Sequence, residues 1–275
     1  MKHVFFFLSL MCILFSCKQN KQAEKVTTVQ YDSLYQPAVF TDKDRMEKIK
    51  QVFPVIDSIY RKYAGENHFP GIAFGIVVDG KLVYSGNHGY TDIEKKIPVT
   101  SSSLFRIASM SKSFTAMAIL KLRDEGKLNL DDPAYLYISE LRKVRYPTAD
   151  APHITIRHLL THGAGFPEDN PWGDRQLADN DKDLMEFIGK QISFSNPPGV
   201  VYEYSNLGFA LLGKIVTVVS GKRYQDYIKE NIWQPLGMKT SEWEFGNVAP
   251  DKLAHGYRWL NSTWNEETLL HDTPD

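Results

Sequence analysis

An α+β fold is what this chain predicts, from three features. One tight hairpin lies early in the sequence, helical patterns dominate the remainder, and strand and helix do not alternate as a parallel sheet requires. Residues 44–63 place Met46, Ile49, Val52, Phe53, Ile56, Ile59 and Tyr60 at helical spacing, which predicts an amphipathic helix despite Pro54. Residues 71–78 and 81–85 are β-rich runs flanking Asp79-Gly80, a two-residue hairpin turn. Residues 86–103 are turn-rich and lead through residues 104–108 into a helix that starts at Ser109 and closes at Gly126. A short helix over residues 155–161 ends before Gly163-Ala164-Gly165. An irregular loop spans residues 166–183, and another helix spans residues 183–192. Pro197-Pro198-Gly199 introduces an extended stretch over residues 200–204. A strongly apolar helix comes next over residues 206–219, then a mixed one over residues 224–233.

Composition bounds the setting. The 275 residues carry a formal net charge of −1 with mixed signs along the chain, so no basic stripe offers itself to nucleic acid. Residues 1–17 begin with a short basic start and an apolar run over residues 4–15, too short to span a bilayer and built like a secretory signal. The run ends in Leu14-Phe15-Ser16-Cys17, which resembles a bacterial lipobox, although Phe15 is bulky for its place; ordinary signal cleavage is the plainer alternative. On the lipobox reading Cys17 is lipidated and holds an exported lipoprotein at the membrane. Both cysteines, Cys12 and Cys17, lie in this segment, so the mature domain has no disulfide. Residues 18–42 read as a polar tether, and residues 43–275 remain for one folded domain, expected as a monomer.

Ser109-Met110-Ser111-Lys112 sets a hydroxyl and an amine three residues apart, on one helix face. A serine hydroxyl needs a neighbouring base before it attacks, and a lysine can help only where burial or another charge tunes it. The plain alternative is a capping serine and a solvated lysine. Context argues against it: residues 114–122 are apolar on nearly every side, which suits a buried helix and a partly desolvated Lys112. Tyr204-Ser205-Asn206 is the second informative spot, opening the apolar helix. Read plainly, Ser205 or Asn206 caps that helix, which leaves the tyrosine free to project elsewhere. No Gly-x-Ser-x-Gly string exists. His153, His158 and His162 lack partners at ligand spacing, so neither a metal nor a cofactor is expected. His158 should face solvent or pack on its short helix, and His162 should orient a loop.

Phe-Arg-Ile-Ala-Ser109-Met-Ser-Lys112, Ile156-Arg-His-Leu-Leu-Thr-His162-Gly-Ala-Gly165 and Pro-Pro-Gly-x-x-Tyr-x-Tyr204-Ser-Asn206, in this order, resemble the β-lactamase-related serine hydrolases. That group holds class C β-lactamases, penicillin-binding DD-peptidases and related esterases. Pro235-Leu236-Gly237-Met238 and Ala254-His255-Gly256-Tyr257 are further landmarks. The resemblance implies a β-lactamase/transpeptidase-like fold, an antiparallel sheet flanked by helices beside a mainly helical region. It implies Ser109 as acylated nucleophile, Lys112 as the group that accepts or holds its proton, Tyr204 as proton carrier to the leaving group, and Asn206 as substrate-binding amide. The Ser109 N–H would be one oxyanion-hole donor. The family's Lys/His-x-Gly motif on a late strand does not occur after Asn206, so the sequence is expected to be a fragment lacking the last sheet strands. Expected substrates are D-amino-acid peptides, β-lactams or esters; the alternative is a penicillin-recognising sensor or pseudoenzyme without turnover. Phe166, Trp172 and Tyr202 line the pocket or belong to the core.

Overall fold

The computed structural model describes residues 39–169, 181–190 and 192–267. The signal segment with Cys17, the tether up to residue 38, Trp172 and residues 268–275 lie outside them. The chain divides into two units, residues 1–50 and 51–275. In the first, Lys48 Nζ donates to Asp42 Oδ2 at 2.7 Å beside helix α1 (Arg45–Gln51). The second unit begins with α2 (Phe53–Glu66).

The single helix expected over residues 44–63 is therefore two. Val52 lies in a turn, and Pro54 sits in the first turn of α2. Proline lacks an N–H, and its ring crowds the carbonyl four residues back, so a helix accepts it only at its start.

Strands β1 (Gly71–Val78) and β2 (Lys81–Asp92) pair antiparallel around the expected turn, with Asp79 at φ 50° and Gly80 at φ 73°, the left-handed pair of a type I′ hairpin. β2 runs on to Asp92, through residues that read as turn-rich. Gly86 misleads because it serves packing: a Cβ there would come within 2.3 Å of the Phe74 ring. That ring stacks on Tyr60 of α2 at 4.1 Å, and Phe53 stacks on Tyr84 at 4.6 Å, so aromatic faces join α2 to the hairpin. A short third strand, β3 (Ile97–Pro98), pairs with β2.

The helical region is built around α3 (Ser111–Asp124) and α6 (Asn206–Ser220), with α4 (Ile156–Leu160), α5 (Asp181–Gly189) and α7 (Tyr224–Ile228) against them. Gly126 takes φ 71° after α3, as its sequence position indicates. α3 buries one stripe, Thr115, Ala118, Ile119 and Leu122, while Met117 stays 42% exposed, so it is not enclosed on every side as its composition suggests. α6 is the more deeply buried helix: Leu211, Leu212, Ile215 and Val216 are all inaccessible. Each such side chain contributes about 1.5–3 kcal/mol through removal from water. Phe166 joins this core.

Of the stretch expected to be extended, Val200 belongs to the turn after Pro197, its N–H donating to the Pro197 carbonyl, and residues 201–204 form no strand. A hairpin that the sequence pattern does not predict closes the described chain: β4 (Tyr257–Leu260) and β5 (Thr263–Glu266) turn through Asn261 and Ser262 at φ 51° and 60°. Just before it, the Leu104 N–H donates to the Lys252 carbonyl at 2.7 Å and the Ala254 N–H to the Leu104 carbonyl at 2.9 Å. The approach to Ser109 is thereby held by residues far along the chain.

Candidate active site

Ser109 lies in a single 3₁₀ turn, Ala108–Met110, that runs directly into α3, rather than in the α-helix itself. Residues three apart eclipse in a 3₁₀ turn, so Ser109 and Lys112 still face one another. Ala108 enters this turn at φ 45°, a left-handed conformation that costs a non-glycine residue about 1–2 kcal/mol. The strain sits next to an exposed serine, as backbone strain at functional sites often does.

Four of the residues singled out in the sequence meet here. Lys112 Nζ donates to Ser109 Oγ at 3.2 Å and to Asn206 Oδ1 at 2.5 Å. Ser109 Oγ and Tyr204 Oη are 2.7 Å apart, and Tyr204 Oη donates to Asn206 Oδ1 at 3.3 Å. An ammonium has donors only, and each hydroxyl has one proton. The set closes in one sense: Lys112 donates to Ser109, Ser109 to Tyr204, and Tyr204 to Asn206. The serine proton thus points at the phenol oxygen. Lys112 Nζ also lies 4.9 Å from the Tyr204 ring centroid and 5.6 Å from that of Phe209, a cation on aromatic faces.

The Tyr204–Asn206 element is fixed from below by further groups. Ser205 caps α6, its Oγ accepting the Gly208 N–H at 3.0 Å, as its type and position suggest. Asp169, which the sequence pattern does not single out, does more. Its carboxylate accepts from Asn206 N–H at 2.6 Å, Leu207 N–H at 2.8 Å and Ser205 Oγ at 3.0 Å. A carboxylate at a helix N-terminus takes up unpaired N–H groups and opposes the positive end of the dipole. No local pattern announces it, because the partner lies 36 residues upstream of Ser205. Asp169→Ala should lower stability by roughly 1–3 kcal/mol, read as a lower urea midpoint at constant slope. An unchanged midpoint would mean that water replaces the carboxylate at no cost.

His162 completes the support. Its Nδ1 accepts the Ser205 N–H at 3.0 Å, and its ring stacks on Tyr204 at 4.7 Å. Burial, and secondarily the Lys112 charge, pushes its pKa below the usual imidazole value. His158 is half-buried, not solvent-facing. It closes a capping box with Thr155, each side chain accepting the other's N–H, at 3.2 and 3.3 Å. The Gly163–Gly165 break then clasps the segment leading to Tyr204: Gly199 N–H donates to Gly163 O, Ser195 N–H to Gly165 O, and Glu203 N–H to His162 O. At Gly165 (φ 81°) a Cβ would stand 2.1 Å from the Asn196 carbonyl oxygen, so only glycine allows the approach. Tyr202 is exposed beside the site, edge-on to His162 at 5.4 Å, whereas Phe166 belongs to the core. His153 packs between Tyr135 and Tyr146. Among the described residues no three His, Cys, Asp or Glu side chains are grouped to hold a metal.

Residues 56–274 match the family model described as Beta-lactamase. Protein flp of Staphylococcus aureus (strain MW2) is 34% identical over 225 residues, which cover 80% of this chain and 44% of that protein. The chain thus spans less than half the length of this curated relative. Among solved structures, an octameric penicillin-binding protein homologue from Pyrococcus abyssi aligns with a TM-score of 0.70 at 31% identity, over 81% of this chain and 52% of that one. A class C beta-lactamase aligns with a TM-score of 0.67 at 27% identity, over 81% and 58%. The mixed α+β architecture is theirs.

Proposed function

The chain belongs to the beta-lactamase family, and on that premise we propose that it cleaves amide or ester bonds through an acyl-enzyme on Ser109. The observation that carries this reading is the closed set of bonds among Ser109, Lys112, Tyr204 and Asn206. Ser109 Oγ attacks the substrate carbonyl carbon while its proton passes along its hydrogen bond to Tyr204 Oη, the neutral phenol acting as a shuttle. Tyr204 hands its own hydroxyl proton to the departing nitrogen or oxygen as the acyl bond breaks, and so ends the step as a phenol. Lys112 stabilises by its charge the negative charge that develops on Tyr204 Oη during the transfer, and holds Ser109 Oγ by a hydrogen bond. The Ser109 N–H, at the start of the rod formed by the 3₁₀ turn and α3, donates to the oxyanion, and Asn206 binds the substrate's amide or carbonyl oxygen. Water then hydrolyses the ester. The substrate class is a D-amino-acid peptide, a β-lactam or an ester.

The test is covalent labelling of the intact protein with a fluorophosphonate or a fluorescent penicillin, the adduct being mapped by mass spectrometry. An adduct on Ser109, together with multiple turnover of an ester, a D-amino-acid peptide or a β-lactam, supports the reading. A Ser109 adduct with no multiple turnover of any of these three makes the protein a sensor, and no adduct sinks the proposal. The lipid anchor on Cys17 is part of the same reading: Cys17→Ser should move the protein from the membrane to the soluble fraction. Retention of that variant in membranes would reject the anchor.

A further inference from the structure

The support beneath Tyr204 contains a group that titrates. His162 follows the C-cap of α4 at φ 55°, with its imidazole stacked on the Tyr204 ring. From α3 it faces Lys112, from the loop before residue 170 it faces Asp169, and from α6 it faces Phe209 at 5.0 Å. From the segment leading into α6 it meets Tyr202, Tyr204 and the Glu203 N–H; the Glu203 carboxylate is taken up by Ser195 and Asn196. Because Nδ1 accepts the Ser205 N–H, the neutral ring carries its proton on Nε2.

Protonation would place the ring's second N–H on Nδ1, pointing at the Ser205 N–H, which has nothing to accept it with. The Ser205 bond would be lost, and a new positive charge would stand beside Lys112, stacked on the ring of Tyr204. The bond that fixes the residue between Tyr204 and Asn206 thus exists only while His162 is neutral. Burial and the Lys112 charge both favour that form at neutral pH.

We propose that His162 is the positioning residue of the Tyr204–Ser205–Asn206 element and that its protonation sets the acidic limit of Ser109 acylation. This rests on reading Ser109 as nucleophile and Tyr204 as its proton carrier. His162 touches neither substrate nor the attacking oxygen and acts through the peptide and ring it supports.

The experiment compares the wild type with His162→Asn and His162→Phe between pH 5 and 8, following single-turnover acylation of Ser109 by p-nitrophenyl acetate. Asparagine suits a positive φ and offers Oδ1 to the Ser205 N–H but does not titrate. The wild-type rate should fall on the acid side with a midpoint below the ordinary imidazole value, because burial and then the Lys112 charge lower it, and roughly tenfold per unit once His162 is charged. His162→Asn should lose that acidic limb, with a plateau lowered about 3- to 10-fold. His162→Phe keeps a ring on Tyr204 without the acceptor. It should be slower than wild type by roughly 10- to 100-fold at pH 7.5, also without the limb. A limb of unchanged midpoint in His162→Asn, or a flat wild-type profile down to pH 5, would overturn the proposal. A second readout needs no acylation: the Ser205 amide resonance of ¹⁵N-labelled protein should titrate in the wild type and not in His162→Asn. A Ser205 amide indifferent to pH would also overturn it. Absence of any wild-type acylation, by contrast, strikes the hydrolase reading, and the amide titration still decides the role of His162.

Discussion

Ser109→Ala should leave a folded protein that takes up no fluorophosphonate or penicillin, with acyl transfer reduced by roughly 10⁴-fold or more. The change deletes the hydroxyl oxygen that lies 3.2 Å from Lys112 Nζ and 2.7 Å from Tyr204 Oη. The neighbouring hydroxyl of Ser113 cannot substitute, since it donates to the Met110 carbonyl at 2.5 Å and faces the backbone. Ser109 is exposed and buries no apolar surface, so thermal unfolding of the variant should match the wild type within experimental error. The Lys112–Asn206 bond of 2.5 Å does not depend on Ser109 and should persist. Labelling that survives in a variant of native stability would move the nucleophile elsewhere.

Lys112→Met comes next in expected effect, with single-turnover acylation down by roughly 10²- to 10⁴-fold. Methionine keeps much of the length and apolar stem of lysine, so the half-buried path along α3 stays filled while the charge disappears. Three contacts go at once: the bonds to Ser109 Oγ and Asn206 Oδ1, and the cation near the Tyr204 ring. Without the cation the negative charge that develops on Tyr204 Oη during proton transfer loses its nearest counter-charge, and Asn206 Oδ1 loses the shorter of its two donors. Both the rate and the apparent substrate affinity should suffer, the rate more. Acylation within about threefold of wild type would show that the phenol works without the amine.

What the sequence discloses here divides along physical lines. Signals written within a few residues read through correctly. Asp79-Gly80 requires two left-handed residues, Gly126 ends α3 in that conformation, and Ser205 caps α6 through Gly208. Signals that depend on distant partners do not. Gly86 reads as a turn until Phe74 is seen to lie on it, and Asp169 looks like one more loop carboxylate until α6 is placed above it. Asn261-Ser262 is a poor turn signature, which hides β4 and β5. Pro54 is legible as a breaker, yet a continuous apolar pattern masks it. The site itself is legible because its chemistry lies in two short strings. Their meeting at 2.7 Å is the work of α3 packing on α6.

The pairing of Leu104 with the stretch around Leu253 bears on when this protein can become competent. Five residues upstream of Ser109, the backbone has its partners only after about 150 further residues have been synthesised, and closing so large a loop is slow. During translation the helix bearing Lys112 can form early, whereas the upstream arm of the serine turn must wait. A nascent chain would therefore hold Ser109 in an incomplete turn until the residues around Leu253 had emerged from the ribosome.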